Sequence, residues 1–298
     1  MCSTCGCSDE AHATITDLAS AGTPGHHHNH DDGHPHPHGH DHGQTHRHEH
    51  ADDDHHSESA SRIIRLEQDV LAKNSRLAER NRGWFEGREI FALNLMSSPG
   101  AGKTTLLERT IRELGGEYQL SVIEGDQETT RDAERIGATG CRVVQINTGS
   151  GCHLDSEMVA NALKKLQPPA RSVVLIENVG NLVCPALFDL GERKKVVIMS
   201  VTEGEDKPVK YPHMFRAADV MILNKIDLLP HVTFTIEQCI NYAQRVNPTL
   251  RIITTSATRG DGLDEWYSWI RAENGISSRR LDLSHYNQDR QAGIIKAT

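Results

Sequence analysis

The chain has 298 residues, 37% of them apolar, with 41 acidic residues against 32 basic ones and a formal charge of −9. That length holds one large domain or two small ones, and the apolar residues together with 24 Gly suffice for a globular core. Residues 1–56 carry 10 Asp/Glu and one basic residue, Arg47, whereas the remainder balances 31 basic against 31 acidic; the body therefore lacks the Lys/Arg excess that a nucleic-acid partner requires.

No apolar leader follows the start and no run of about 18 apolar residues occurs, so the sequence predicts a cytoplasmic protein that does not engage a membrane. In such a reducing compartment, clustered thiols are metal ligands before they are disulfides. Residues 1–25 open with Cys2, Cys5 and Cys7, three thiolates close enough to wrap one ion with no fold beneath them. The terminal amine offers a fourth donor. Such a set suits square-planar Ni2+, with tetrahedral Zn2+ as the competitor.

Residues 26–58 form a His-rich tract, with fourteen His between 26 and 56 among Asp, Gly and Pro. With almost nothing to bury it is expected to be disordered, and its many interchangeable imidazoles read as a metal buffer. A lead-in helix is predicted over 59–84, on the pattern Ile63, Ile64, Leu66, Val70, Leu71 and Leu77. From 85 to 275, apolar β-rich runs alternate with helical segments; the strands are expected at 91–96, 119–123, 142–147, 172–177, 195–201, 219–224 and 250–255. This is the signature of an α/β domain with a mainly parallel sheet and helices on both faces. Residues 276–298 read as a polar, irregular tail.

The first of these strands runs into SSPGAGKTT and a helical segment, the context a phosphate loop requires. Gly100, Ala101 and Gly102 would close backbone N–H groups around phosphate oxygens. Lys103 would reach the β- and γ-phosphates, and the hydroxyl of Thr104, followed by Thr105, would bind Mg2+. Ser97 stands where the generic pattern has its first glycine. Asn224-Lys225-Ile226-Asp227 follows the strand DVMILN. Asp227 can accept hydrogen bonds from guanine N1–H and the exocyclic amine, which adenine cannot match, so GTP is the expected nucleotide. Lys225 would cover the base, Asn224 would tie loops together, and a backbone N–H at Ser256-Ala257 would meet guanine O6.

Asp126, after SVIEG, and Glu177, ending VVLIE, are candidate magnesium carboxylates; helix-capping or surface acids are their plain alternative. No residue declares itself as the one that orients the attacking water, Gln127 being no more than a candidate, so hydrolysis is expected to be slow. Cys152 and His153 follow the strand RVVQINT, and Cys184 follows the strand of Glu177. If those strands are neighbours, the three residues meet at one sheet edge and leave a coordination position open; buried cysteines are the alternative. Cys141 and Cys239 read as core residues.

The MCSTCGC start, the His tract, SSPGAGKTTLLERT, the EGD strand end, GCHLD, the Glu177 strand end and NKID, in this order, closely resemble the HypB family. These are nickel-inserting GTPases of [NiFe]-hydrogenase maturation, and their own phosphate loop accounts for Ser97. The resemblance implies a G domain of the SIMIBI class that dimerises with nucleotide. It implies a tight nickel site at Cys2, Cys5 and Cys7, and a weaker Ni/Zn site at Cys152, His153 and Cys184 on the dimer interface. It also implies a HypA-type metallochaperone, a hydrogenase large-subunit precursor and, in some bacteria, SlyD as partners. The urease accessory GTPases are the nearest rival, but they usually carry Cys-Pro-His. A metal-storage protein and a cobalamin-associated GTPase are further alternatives.

Overall fold

The structure, a computed structural model, describes residues 13–18 and 53–279; side chains are described over 13–18 and 68–275. Cys2, Cys5 and Cys7, the His tract up to residue 52 and the tail from 280 lie outside the described residues.

All seven expected strands form: β2 (Phe91–Ser97), β3 (Leu120–Asp126), β4 (Arg142–Asn147), β5 (Val173–Glu177), β6 (Lys194–Ser200), β7 (Val220–Asn224) and β8 (Arg251–Thr254). They are mutually parallel. An eighth strand, β1 (Thr14–Asp17), adds antiparallel to β4 at one edge, with Thr14 opposite Asn147. The order across the sheet is β1-β4-β3-β5-β2-β6-β7-β8. β2 and β5 are buried along their whole length, as strands covered on both faces must be.

Helices α2 (Lys103–Leu114), α3 (Arg131–Gly137) and α8 (Leu263–Arg279) cover one face, where Leu106, Ile136 and Trp266 pack against Leu93, Val122 and Leu175. On the other face lie α1 (Asp53–Gly87) and α4 (Ser156–Leu166), and α6 (Pro212–Ala217) with α7 (Ile236–Val246), while α5 (Lys207–Lys210) packs on α7. Two boundaries differ from the sequence reading. α1 starts at Asp53, inside the stretch assigned to the tract, because residues 51–58 lack Gly and Pro and place acids at the positive end of the helix dipole. α8 continues past 275 to Arg279.

The second half of α1 is clamped by polar side chains. Asn74 donates to Asp189 O (2.8 Å) and accepts from Ser156 N (2.9 Å); Asn81 donates to Ser156 O (2.8 Å) and Leu190 O (3.1 Å). Gly191 makes this approach possible: its φ is +86°, and a Cβ there would lie 2.5 Å from Ala78 O and 2.7 Å from Asn81 Cβ. Gly191→Ala should cost about 2 kcal/mol or more by strain and displacement of α1. A lowered urea midpoint with an unchanged slope is the expected result.

Candidate nucleotide and metal site

A parallel sheet gathers its strand ends at one edge, and the expected nucleotide residues collect there. Between β2 and α2 the loop turns through Gly100 (φ +76°) and Gly102 (φ +100°). Lys103 Nζ donates to Ser97 Oγ at 2.9 Å, so the serine that departs from the generic pattern holds the loop lysine. Ser98 Oγ donates to the carboxylate of Glu203, a loop residue that the sequence did not single out.

Asn224, ending β7, bridges two loops. Its Nδ2 donates to Ala101 O (2.9 Å), and its Oδ1 accepts from Ala257 N (3.0 Å). A Cβ on Gly102 would meet that amide at 2.5 Å, so only glycine fits. Lys225 Nζ donates to Gly100 O (2.7 Å), and Ser256 Oγ donates to Asp227 Oδ1 (2.6 Å). Both N–H groups of the Ser256-Ala257 dipeptide donate within the protein, to Asp261 O and Asn224 Oδ1. Phosphate loop, base-reading segment and Ser256-Ala257 are thus one connected surface.

Beside the phosphate loop stand carboxylates. Glu177 is buried at the end of β5; Thr104 Oγ1 donates to its Oε1 at 2.9 Å, while its buried Oε2 has no partner among the described residues. Burial pushes its carboxyl up to about 7 against the pull of Lys103. Glu124, which the sequence reading passed over, pairs in register with Glu177 and also keeps a buried Oε2 without a partner. Burial, then the Glu177 charge, pushes it up to about 9. Strand alternation was the available signal, since Val122, Glu124 and Asp126 share one face and Val122 is core. Asp126 Oδ2 accepts from Thr129 N (3.0 Å) and Thr129 Oγ1 (2.7 Å). Hydroxyl and carboxylate oxygens with spare acceptor capacity are the donor set that magnesium takes, so Thr104, Glu177 and Asp126 fit that ion.

Cys152, His153 and Cys184 come together. Their ligand atoms all lie within 4.8 Å of one another; Cys152 Sγ is 3.1 Å from Cys184 Sγ and 3.7 Å from His153 Nδ1. The His153 ring packs on Phe188 at 3.9 Å, and its pKa is lowered, chiefly by burial. The route to this meeting differs from the expected one. β4 and β5 are not neighbours, because β3 lies between them. The loop after β4 instead crosses the end of β3: Thr148 N donates to Asp126 O (2.9 Å), Gln127 Nε2 to Gly151 O (3.4 Å), and a Cβ on Gly125 would strike the Leu154 side chain at 2.8 Å. Burial pushes the thiols of Cys141 and Cys239 up to about 12, which suits packing residues.

Residues 91–254 match the nucleotide-binding domain of the CobW/HypB/UreG family. The hydrogenase maturation factor HypB of Azotobacter vinelandii is 59% identical over 225 residues, covering 75% of this chain and 74% of that protein. The crystal structure of hydrogenase maturation factor HypB from Archaeoglobus fulgidus matches with a TM-score of 0.64 at 41% identity, over 68% of this chain and 99% of that one. HypB from Helicobacter pylori, solved in complex with nickel, matches with a TM-score of 0.64 at 35% identity, over 68% and 96%.

The raised Glu124 carboxyl generates a pH test. The folded chain keeps this proton up to about 9, whereas an unfolded Glu releases it near 4.5, so stability falls as pH rises through that window. In chelator, Glu124→Gln should match the parent near pH 5 and exceed it by about 1–3 kcal/mol near pH 8, read by urea denaturation at both values.

Proposed function

The chain belongs to the HypB family of hydrogenase maturation factors, within the CobW/HypB/UreG nucleotide-binding group, and from that premise we propose that it is a slow GTPase and metallochaperone that delivers nickel to a [NiFe]-hydrogenase large-subunit precursor. The observation that carries the reading is the cluster of Cys152, His153 and Cys184, whose loops lean on the strand ends bearing Asp126 and Glu177.

In this reading the phosphates lie in the loop Gly100 to Thr105, with Lys103 released from Ser97 to meet the β- and γ-phosphates. Asp227, half-buried and already accepting from the Ser256 hydroxyl, selects guanine, because adenine lacks the N1–H and exocyclic amine donors that the carboxylate would accept. Thr104, Glu177 and Asp126 would hold Mg2+, which would supply charge neutralisation. Gln127 turns its amide to Gly151 O rather than toward the phosphate loop, which supports slow turnover.

Three donors leave nickel, or competing Zn2+, an open position, which suits release or completion by a second copy of the chain. Val183 and Leu187, apolar and half-exposed on either side of Cys184, support a homodimer contact there. Cys2, Cys5 and Cys7 form the tighter site, and the His tract adds storage. A HypA-type metallochaperone, the hydrogenase precursor and, in some bacteria, SlyD exchange metal with the chain.

Two variants test this. Asp227→Asn should weaken GTP binding by at least about 100-fold while improving binding of the xanthine nucleotide, whose C2 carbonyl accepts where guanine donates. In cells lacking the parental gene, Lys103→Ala should leave protein-bound nickel unchanged yet reduce hydrogenase activity to below about a tenth. Full activity with Lys103→Ala would favour a passive store over a nucleotide-driven carrier.

A further inference from the structure

The turn after β5 touches both halves of the site. On one side Glu177 accepts from Thr104, and Gly180 lies so close to the phosphate loop that a Cβ there would be 3.1–3.2 Å from Pro99. On the other side is Asn178, 1% exposed. Its Oδ1 accepts two backbone hydrogen bonds, from Val179 N (3.0 Å) in its own turn and from Leu154 N (3.1 Å) in the metal loop. Its Nδ2 donates to Asn94 Oδ1 (3.2 Å) in β2, and Asn94 in turn donates to the buried Glu192 (3.0 Å). The amide is thereby fixed in one orientation, since a flipped Asn178 would set its NH2 against two N–H donors.

Leu154 is the receiving part. It directly follows His153, is fully buried, and fills the notch left by Gly125 between Glu124 and Asp126. One residue of the metal loop is therefore held by both carboxylate-bearing strand ends: by its N–H on β5 and by its side chain on β3.

We propose that Asn178 and Leu154 form the latch through which the phosphate-side turn positions Cys152 and His153; Asn178 is a positioning residue and touches neither nucleotide nor metal. This rests on the nucleotide-gated nickel reading above and names the contact that gates it. A shift of Glu177 between nucleotide states would move Asn178 with it, and a buried N–H cannot be left behind without losing its partner, so Leu154 would follow. Coupling then appears as a difference in metal affinity between nucleotide states.

The test uses the full chain carrying Cys2→Ser, Cys5→Ser and Cys7→Ser, so that the thiolate-to-nickel absorption band reports on the interior site, where the His tract gives no such signal. Nickel is titrated with GDP and with a non-hydrolysable GTP analogue. The parent affinities should differ by at least about fivefold, the lower end of ordinary coupling. Asn178→Ala should bring the ratio to within about twofold of unity while guanine-nucleotide affinity stays near the parent's. Asn178→Asp, which keeps the Oδ1 acceptor, should retain the parental ratio. A folded Asn178→Ala protein with the parental ratio overturns the latch, and so does an Asn178→Asp ratio that collapses to unity. If Asn178→Ala does not fold, Leu154→Ala decides, with a retained parental ratio overturning the proposal and a lowered one supporting it. A parent that shows no difference between nucleotides overturns the gating reading itself, and the latch with it.

Discussion

The register of four strands sets the chemistry of this protein. Leu95 of β2, Glu177 of β5, Glu124 of β3 and Gln145 of β4 are successive partners across the sheet, on the face that carries the phosphate-loop helix. Adjacent strands stand about 4.8 Å apart, so two carboxyl groups lie side by side in a dry layer. Burial displaces both groups upward, the Glu177 charge adds to the shift of Glu124, and each keeps a buried oxygen without a partner among the described residues. A packed apolar pair would stabilise the fold better. The cost is about 1–3 kcal/mol for each unsatisfied group, and in the reading proposed above a cation arriving with a nucleotide would relieve it.

The same register explains how the two halves of the site meet. Because β3 separates β4 from β5, the loop of Cys152 reaches Cys184 only by crossing the end of β3. That crossing needs a residue with no side chain beneath it, and Gly125 supplies the gap into which Leu154 fits. An alanine there would push the loop outward. The glycine between Glu124 and Asp126 therefore has a steric duty toward the thiols in addition to any role in the strand end.

Much of this was legible in the sequence because it is local. The phosphate loop, the base-reading motif and the seven apolar strands each lie within a short window whose physics is self-contained. What escaped notice depended on packing. β1 is four residues, TITD, alternately exposed and half-buried, too short and too polar to announce itself beside a His tract. Glu124 hid inside a motif whose Asp126 drew the attention, although period-two alternation assigns it to the buried face. The meeting of Cys152 with Cys184 was anticipated, but for the wrong geometric reason, since strand order cannot be read from strand sequence. Asn178 carries no signal of its own, because its importance lies in which backbone N–H groups end up facing it.

Chemical selection among the thiols completes the picture. A thiol must shed its proton to bind metal, and burial alone makes that harder. Cys141, which donates to Leu120 O, and Cys239, set against Met199, sit in such surroundings, and their pKa values near 12 keep them protonated at neutral pH. Cys152 and Cys184 instead face each other and an imidazole whose lowered pKa leaves it neutral and able to donate its lone pair. Among the described residues, Cys152, His153 and Cys184 are thus the competent set of thiol and imidazole donors. That set has three members on two loops. In the carrier reading proposed above, an incomplete set suits release, because a closed sphere of four protein ligands would hold its ion more tightly.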